Sequence, residues 1–353
     1  MSVDRLEVKV SITKLLLALI VVIVPLSIIG LVLTQRSDKT LDNSVGSNFK
    51  TMAQLYASQV TQFMRERVTD VNVLASSPAV VNAVSNGAGN KGTLDTNASQ
   101  VLREHKSLDP RFLSIVATTD EGKVAAASQR PPQIAYAQDA NWQAAYNNGQ
   151  GATKISDILD DELTKAYYVT INVPVVNPQS SQTIGVVSAA VNISDALAPF
   201  RQSQIANGAR AALVNEDGIV ISGPNADVFS RVKAPEYDFV RDSLGPNQGS
   251  QNGWLTAHLA RGPYIVGFAG TGLKQHFANL GWVVTVSQEE HEAAAPVRQL
   301  EHFALLMVIL AVFMLTLMFV YYYLHRAQRF SYIDEDVASN QPRSTAASAG
   351  AGV

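Results

Sequence analysis

Two uncharged apolar runs, residues 15–34 (LLLALIVVIVPLSIIGLVLT) and 303–324 (FALLMVILAVFMLTLMFVYYYL), bracket a long segment of mixed polarity. Each run is about 20 residues, enough to cross a ~30 Å hydrocarbon core as a helix. Between them the apolar spacing changes twice. From Leu41 the residues Val45, Phe49, Met52, Tyr56, Val60 and Phe63 recur every three or four positions, the period of one helix face. A helix over about 40–74 would be ~50 Å long at 1.5 Å per residue. That is a stalk, ended by Ser77-Pro78. Its stripe packs on the chain's own domain, forms a seam between two copies, or does both at different heights along the helix, and a parallel homodimer is expected. Residues 79–84 form a short apolar helix, 86–97 a Gly/Asn-rich loop, and 99–107 a further helix.

Beyond residue 110 the period becomes two. Residues 112–119 and 123–128 flank Asp120-Glu121-Gly122, a strand–turn–strand signal. Residues 167–176 and 184–191 are two more strands joined by a turn over 177–182. A similar unit follows: 211–214, a turn at Asn215-Glu216-Asp217-Gly218, then 219–222. Residues 264–269 and 282–288 supply the last strands. The pattern predicts two similar α+β modules with antiparallel sheets, hung from one stalk helix.

Charge next to the apolar runs orients them. Arg5, Lys9 and Lys14 precede the first, and His325, Arg326 and Arg329 follow the second. Positive flanks favour the cytoplasm, so residues 1–14 and 325–353 are expected inside and 36–300 outside. Tyr321, Tyr322 and Tyr323 fit an aromatic belt at the inner interface. Gln35-Arg36-Ser37 offers no small-x-small cleavage site, so the first run reads as an uncleaved anchor. Pro25 and Gly30 are tolerable in a membrane helix.

Composition narrows the chemistry. The 353-residue chain has no cysteine and a formal charge of −3. Disulfides, thiolate catalysis and cysteine metal sites are all excluded. No basic block suggests nucleic acid, and no Gly-x-Ser-x-Gly, His-Glu-x-x-His or P-loop pattern is present. Glu289-Glu290-His291-Glu292 reads as a solvated helix start, because acidic residues favour a helix N-terminus. No enzyme, metal or cofactor is expected. The Pro/Ser/Ala/Gly-rich tail after Arg326 is expected to be disordered.

The order of these features resembles the double Cache sensor domain of bacterial chemoreceptors and sensor kinases. TINVPVV (170–176) with TIGVVSAAVNIS (183–194) is similar to the closing hairpin of the family's membrane-distal module. ARAALVNEDGIVISGPN (209–225) is similar to the opening hairpin of the proximal one. LGWVVTVSQEEHEAAAPVRQL (280–300) is similar to its last strand and the helix into the second span. The resemblance implies a distal module over about 76–200, a proximal module over about 205–290, and ligand binding mainly in the distal one.

Many members that bind amino acids carry Arg-x-Trp-Tyr, then Tyr-x-Asp, then an Asp on the last strand. The Arg grips a carboxylate by paired hydrogen bonds, and the acids hold the ammonium. The matching positions here read Ala140-Asn141-Trp142-Gln143, Leu159-Asp160-Asp161 and Ala190. Trp142 and Asp161 match, while Arg, both Tyr and the last Asp are absent. An α-amino acid is therefore an unfavoured ligand. An aromatic wall and one carboxylate suit a small neutral or cationic molecule, with Asn141, Trp142, Tyr146, Asp161, Tyr168 and Asn192 as contact residues. The plainer readings are that Trp142 is core and that Asp157, Asp160, Asp161 and Glu162 form a solvated acidic loop.

Two functions follow from the resemblance. One is a membrane-anchored extracytoplasmic sensor without an output domain of its own, in a bacterial inner membrane, signalling through a separate partner. The other is an accessory subunit of a membrane complex that keeps the Cache fold for protein contact.

Overall fold

The computed structural model describes residues 12–131, 136–161, 166–202, 205, 208–244 and 251–293, with side chains from Asp42 onward, and the helical residues 305–306, 309–310, 312–314, 316–318 and 320–321. Residues 1–11 and 325–353, and with them the expected tail, lie outside the described residues, as do the side chains of residues 15–34. A first unit ends at Ala294. It begins with α1 (Ile12–Ala75), a single helix about 95 Å long that includes both the first apolar run and the stalk. Among the described residues no helix is long and apolar enough to cross a membrane. The run at 15–34 is helical in its backbone, so its assignment as a span rests on its sequence.

After α1 come α2 (Pro78–Ser85) and α3 (Thr96–Leu108). Ser77 is extended, as a residue before proline must be, and Pro78 opens α2 where its missing N–H costs nothing. Asp95 caps α3 by accepting from the Ala98 N–H at 2.8 Å. The first sheet then forms from β1 (Phe112–Thr119), β2 (Val124–Ala127), β3 (Lys154–Ile155), β4 (Leu159–Asp161), β5 (Ala166–Val176) and β6 (Thr183–Asn192). Helix α4 (Ala140–Tyr146) lies between β2 and β3. The strand order is β2-β1-β6-β5-β3, with β4 also on β5, and every pair is antiparallel.

The short helix α5 (Ser194–Leu197) leads to the second sheet. Its strands are β7 (Arg210–Val214), β8 (Val220–Gly223), β9 (Ala226–Asp227), then, after α6 (Tyr237–Leu244), β10 (Asn252–Leu259), β11 (Gly262–Gly270) and β12 (Val283–Glu289). They run β10-β11-β12-β7-β8-β9, again antiparallel. The β7–β8 turn is closed by Asn215, whose Oδ1 accepts from the N–H groups of Asp217 and Ile219 at 3.0 and 2.8 Å. Gly218 follows at φ +81°, where a Cβ would also strike the Tyr237 ring at 2.4 Å.

One face of each sheet rests on α1. Phe49, Ala53, Ala57, Val60, Met64, Val71 and Leu74 are buried in a core shared with Val169, Ile171 and Ala189 of the first sheet and with Ala211, Val284 and Val286 of the second. Val45, Met52, Tyr56 and Phe63 pack against the same core. The stalk stripe is thus occupied within the chain. The face turned outward carries Ser58, Gln59, Gln62, Glu66 and Thr69, with Leu55 and Val73 as exposed apolar residues. The second unit starts at Ala295 and is helical at its described residues, where Leu305, Ile309, Phe313 and Met318 are exposed.

Candidate functional site

Alternation along the strands sorts the first sheet into two faces. Val169, Ile171, Val173 and Val175 of β5 and Val187, Ala189 and Val191 of β6 face α1. Tyr168, Thr170 and Asn172, with Ser188, Ala190 and Asn192, face the other way, joined by Ser114, Val116 and Thr118 of β1. This outer face is polar in its middle. Ser188 Oγ donates to Asn172 Oδ1 at 2.7 Å, and both residues are buried. Toward the start of β5 the face opens: Ser114, Tyr168, Thr170, Ala190 and Asn192 are all half-exposed.

The six residues expected at the site fall into two groups. Tyr168 pairs with Asn192 across β5–β6 and with Leu159 across β5–β4, and Asp161 pairs with Ala166. Asp161, Tyr168 and Asn192 therefore share one face at one end of the sheet. The Tyr168 phenol is held above its usual pKa by burial and then by the charges of Asp161 and Asp160. Asn192 uses its side-chain carbonyl to accept from the Ser194 N–H at 2.8 Å. Asn141, Trp142 and Tyr146 stand elsewhere, on α4. Asp139 caps that helix by accepting from the Trp142 N–H at 2.8 Å.

Trp142 is only 3 % exposed. Its indole N–H donates to Thr118 Oγ1 at 2.7 Å, and its ring stacks on Tyr146 at 5.3 Å. Val116, Ala127, Tyr136, Ala145 and Val186 complete a small core around it. Burial there, with the charge of Asp139, pushes Tyr136 up to about 12. Thr118 is registered with Val186, and Val186 with Pro174. Pro174 and Ala166 are eight positions apart on β5, roughly 26 Å at 3.3 Å per residue. Trp142 and Asp161 therefore stand at opposite ends of the face. By this register the indole sits in a small core at one end of the module, and the carboxylate stands at the other.

Residues beside the open end tie the modules together. Tyr167, next to Tyr168 but pointing away, donates its hydroxyl to Asp227 Oδ2 at 2.7 Å and stacks on Phe229 at 5.7 Å. Arg201 lies 4.7 Å from the Tyr167 ring centre. The bond from Tyr167 lowers the pKa of Asp227 and raises that of the phenol. Asn279 of the second module donates to Ile155 O and Asp157 Oδ1, both at 3.1 Å. Sequence spacing pointed to none of these, because Tyr167 and Asp227 lie 60 residues apart.

An open groove of about 720 Å³ lies between α1 (Gln54, Thr61, Arg65, Asp70) and the chain around the end of β11 (Ala269–Gly272). Another, about 540 Å³, lies in the second module. None of the six expected residues lines either one.

Two antiparallel sheets laid along one long helix, with a polar outer face on the first, define a two-module α+β architecture. The chain belongs to the Cache domain family, which matches residues 37–297. Among solved structures it is similar to the sensory domain of the Campylobacter jejuni chemoreceptor Tlp3 with isoleucine bound, at 12 % identity and a TM-score of 0.54, over 72 % of this chain and 97 % of that one. It is also similar to the ligand-binding domain of the Pseudomonas aeruginosa amino acid chemoreceptor PctC in complex with GABA, at 17 % identity and a TM-score of 0.50, over 70 % and 99 % of the two chains. At such identities the likeness is one of fold. No curated protein matches the sequence closely enough to count as a relative.

Proposed function

We propose that this protein is a membrane-anchored sensor whose first module binds a small neutral or cationic molecule on the outer side of a bacterial inner membrane. The observation that carries the reading is the grouping of Asp161, Tyr168 and Asn192 on the half-open end of the first sheet. A carboxylate, a phenol and an amide there offer an anionic acceptor and two neutral hydrogen-bonding groups. No arginine stands at position 140 to hold a carboxylate, so an ammonium or hydroxyl group suits the face better than an acid. Trp142 and Tyr146 act from the far end by holding α4 on the sheet.

The same strand supplies the route inward. Tyr168 faces the ligand side and Tyr167 faces Asp227 of the second module. A ligand that shifts the start of β5 moves both. Any change of state is limited to the ligand's difference in affinity for the two arrangements.

The test is thermal unfolding of the full chain in detergent against a library of small amines, polyols and dicarboxylates. A ligand at about 100 times its dissociation constant adds ~2.7 kcal/mol of stability. Asp161→Asn and Tyr168→Phe should abolish that gain while leaving the unliganded melting temperature within a few degrees. A gain confined to dicarboxylates, or one untouched by both substitutions, would overturn the reading. A library with no active member would favour an accessory subunit that uses the fold for protein contact.

The topology has its own test, made simple by the absence of native cysteine. A cysteine at the exposed Ser76 should react with an impermeant maleimide on spheroplasts, and one at Ser344 should react only after lysis. The opposite labelling pattern would reverse the orientation.

A further inference from the structure

The second module contains a cavity of a different kind. Its sheet, too, has one face on α1 and one face turned away. The outer face is covered by α6, through Tyr237, Val240 and Leu244 packed on Val214, Val266, Phe268 and Val283. That cover stops short of the sheet's end, where a cavity of about 540 Å³ remains. The volume falls within the range of small-molecule pockets. Its walls include the apolar Ala212, Val220, Leu259 and Tyr264.

Inside this cavity stands Glu236, only 7 % exposed. Besides its own backbone N–H, the side-chain donors to it are hydroxyls, Thr285 Oγ1 at 3.3 Å and Ser287 Oγ at 3.4 Å, both long for such bonds. Among the described residues no ammonium or guanidinium comes within ion-pair distance of it. Burial raises the Glu236 pKa against the opposing pull of its own backbone N–H, the two hydroxyls and the charge of Arg210. Buried carboxylates are normally paired or bound to a cation, because an unpaired one is costly. The basic residues at the rim do not meet this need. Arg210 and Arg261 are exposed, and Lys233 is taken by Asp238 at 2.7 Å.

We propose that this cavity is a second ligand site, which takes a small organic ammonium ion with its charged head against Glu236 and its apolar body against Val220, Leu259 and Tyr264. A hydroxyl pair and a carboxylate can accept the N–H groups of a primary ammonium. The alkyl part replaces water on the surrounding apolar wall. An acidic tail on the same molecule would point to Arg210 and Arg261 at the mouth. The site is independent of Asp161, Tyr168 and Asn192, which lie in the other sheet.

Titration calorimetry of the full chain in nanodiscs with n-pentylammonium tests the assignment, with pentanoate as the charge-reversed control. Saturable one-site heat is expected for the ammonium and not for the carboxylate. Glu236→Gln keeps the shape and removes the charge, and should weaken binding at least tenfold. Ala212→Leu leaves the carboxylate in place but fills the cavity, and should weaken binding similarly. Asp161→Asn with Tyr168→Phe should leave the affinity unchanged, so this site and the face of the first sheet are read separately. Absence of saturable heat with n-pentylammonium, an affinity indifferent to Glu236→Gln, or tighter binding of pentanoate would each overturn the proposal.

Discussion

Replacing Arg67 with alanine is expected to lower the stability of the folded chain by about 3 kcal/mol, the lower end of the range for breaking a buried ion pair. Arg67 is nearly buried on α1 and reaches across to Asp109, the residue that ends α3, where it forms a close ion pair. It also meets Asp70 at 3.1 Å. Its guanidinium lies 5.7 Å from the Phe63 ring centre and 5.9 Å from that of Phe112, which join the stalk and β1. Two features hold the effect to the lower end. Arg67 Nε is buried without a partner, a cost that alanine removes. Asp109 also keeps Arg111, at 2.9 Å, after the substitution. Urea unfolding measures the difference. Arg67→Lys should fall in between, since lysine keeps the charge but not the planar fork. A loss below ~1 kcal/mol would mean the pair only offsets its own desolvation.

The same pair sets an acid limit. Burial alone would raise the Asp109 pKa, but hydrogen bonds from Arg111 and the charges of Arg67 and Arg111 outweigh it and hold it below its usual 3.8. A depressed folded-state pKa gives stability that is present above 3.8 and lost as the pH falls below it. Arg67→Ala should therefore show a shallower loss of stability below pH 4 than the native chain.

The second large effect is expected at Gly267. This residue sits in the middle of β11 where α1 crosses the second sheet. A Cβ added there would lie 2.2 Å from the Phe49 carbonyl carbon and 2.4 Å from the Lys50 nitrogen. Both are helix backbone and cannot rotate away, so the helix must lift from the sheet. Overpacking of this kind costs ~1–3 kcal/mol, and Gly267→Ala should reach the upper end. Gly253, in the neighbouring strand, makes the comparison: its added Cβ would meet only the tip of the Phe268 ring at 2.8 Å. Gly253→Ala should cost clearly less. Equal losses in urea unfolding would show that close helix–sheet approach is not what Gly267 supplies.

Much of the fold was legible because its signals are local. The period of 3.6 over 40–74 and the period of two over 112–119, 167–176 and 184–191 reflect which faces are buried, and α1, β1, β5 and β6 formed where those periods run. The turns at Gly122 and Gly218 have chemistry of their own, and the order of the elements was enough to recognise the Cache family. Four strands and three helices, the four-residue α5 among them, were not legible. β3, β4 and β9 have only two or three residues each, too few for any period. β10 (NGWLTAHL) is an edge strand, half-buried along most of its length, so no clean alternation marks it. The helices α4 and α6 span seven and eight residues, and their apolar positions make sense only against the sheets they cover.

What the sequence determined by itself is the long helix and the longer strands, the absence of cysteine chemistry, and the two long uncharged runs with positive residues beside them. What only the tertiary structure decided is which side chains meet. The stalk stripe could pack inward or against a second copy, and the buried positions of Phe49, Val60 and Met64 show it packed on both sheets of its own chain. Trp142 and Asp161 matched one motif, yet strand register separates them along the sheet because each residue adds a fixed rise. Glu236 gave no signal at all. A glutamate before a short helix reads as solvated, and only the closing of α6 over the second sheet, with Thr285 and Ser287 beneath, removes it from water.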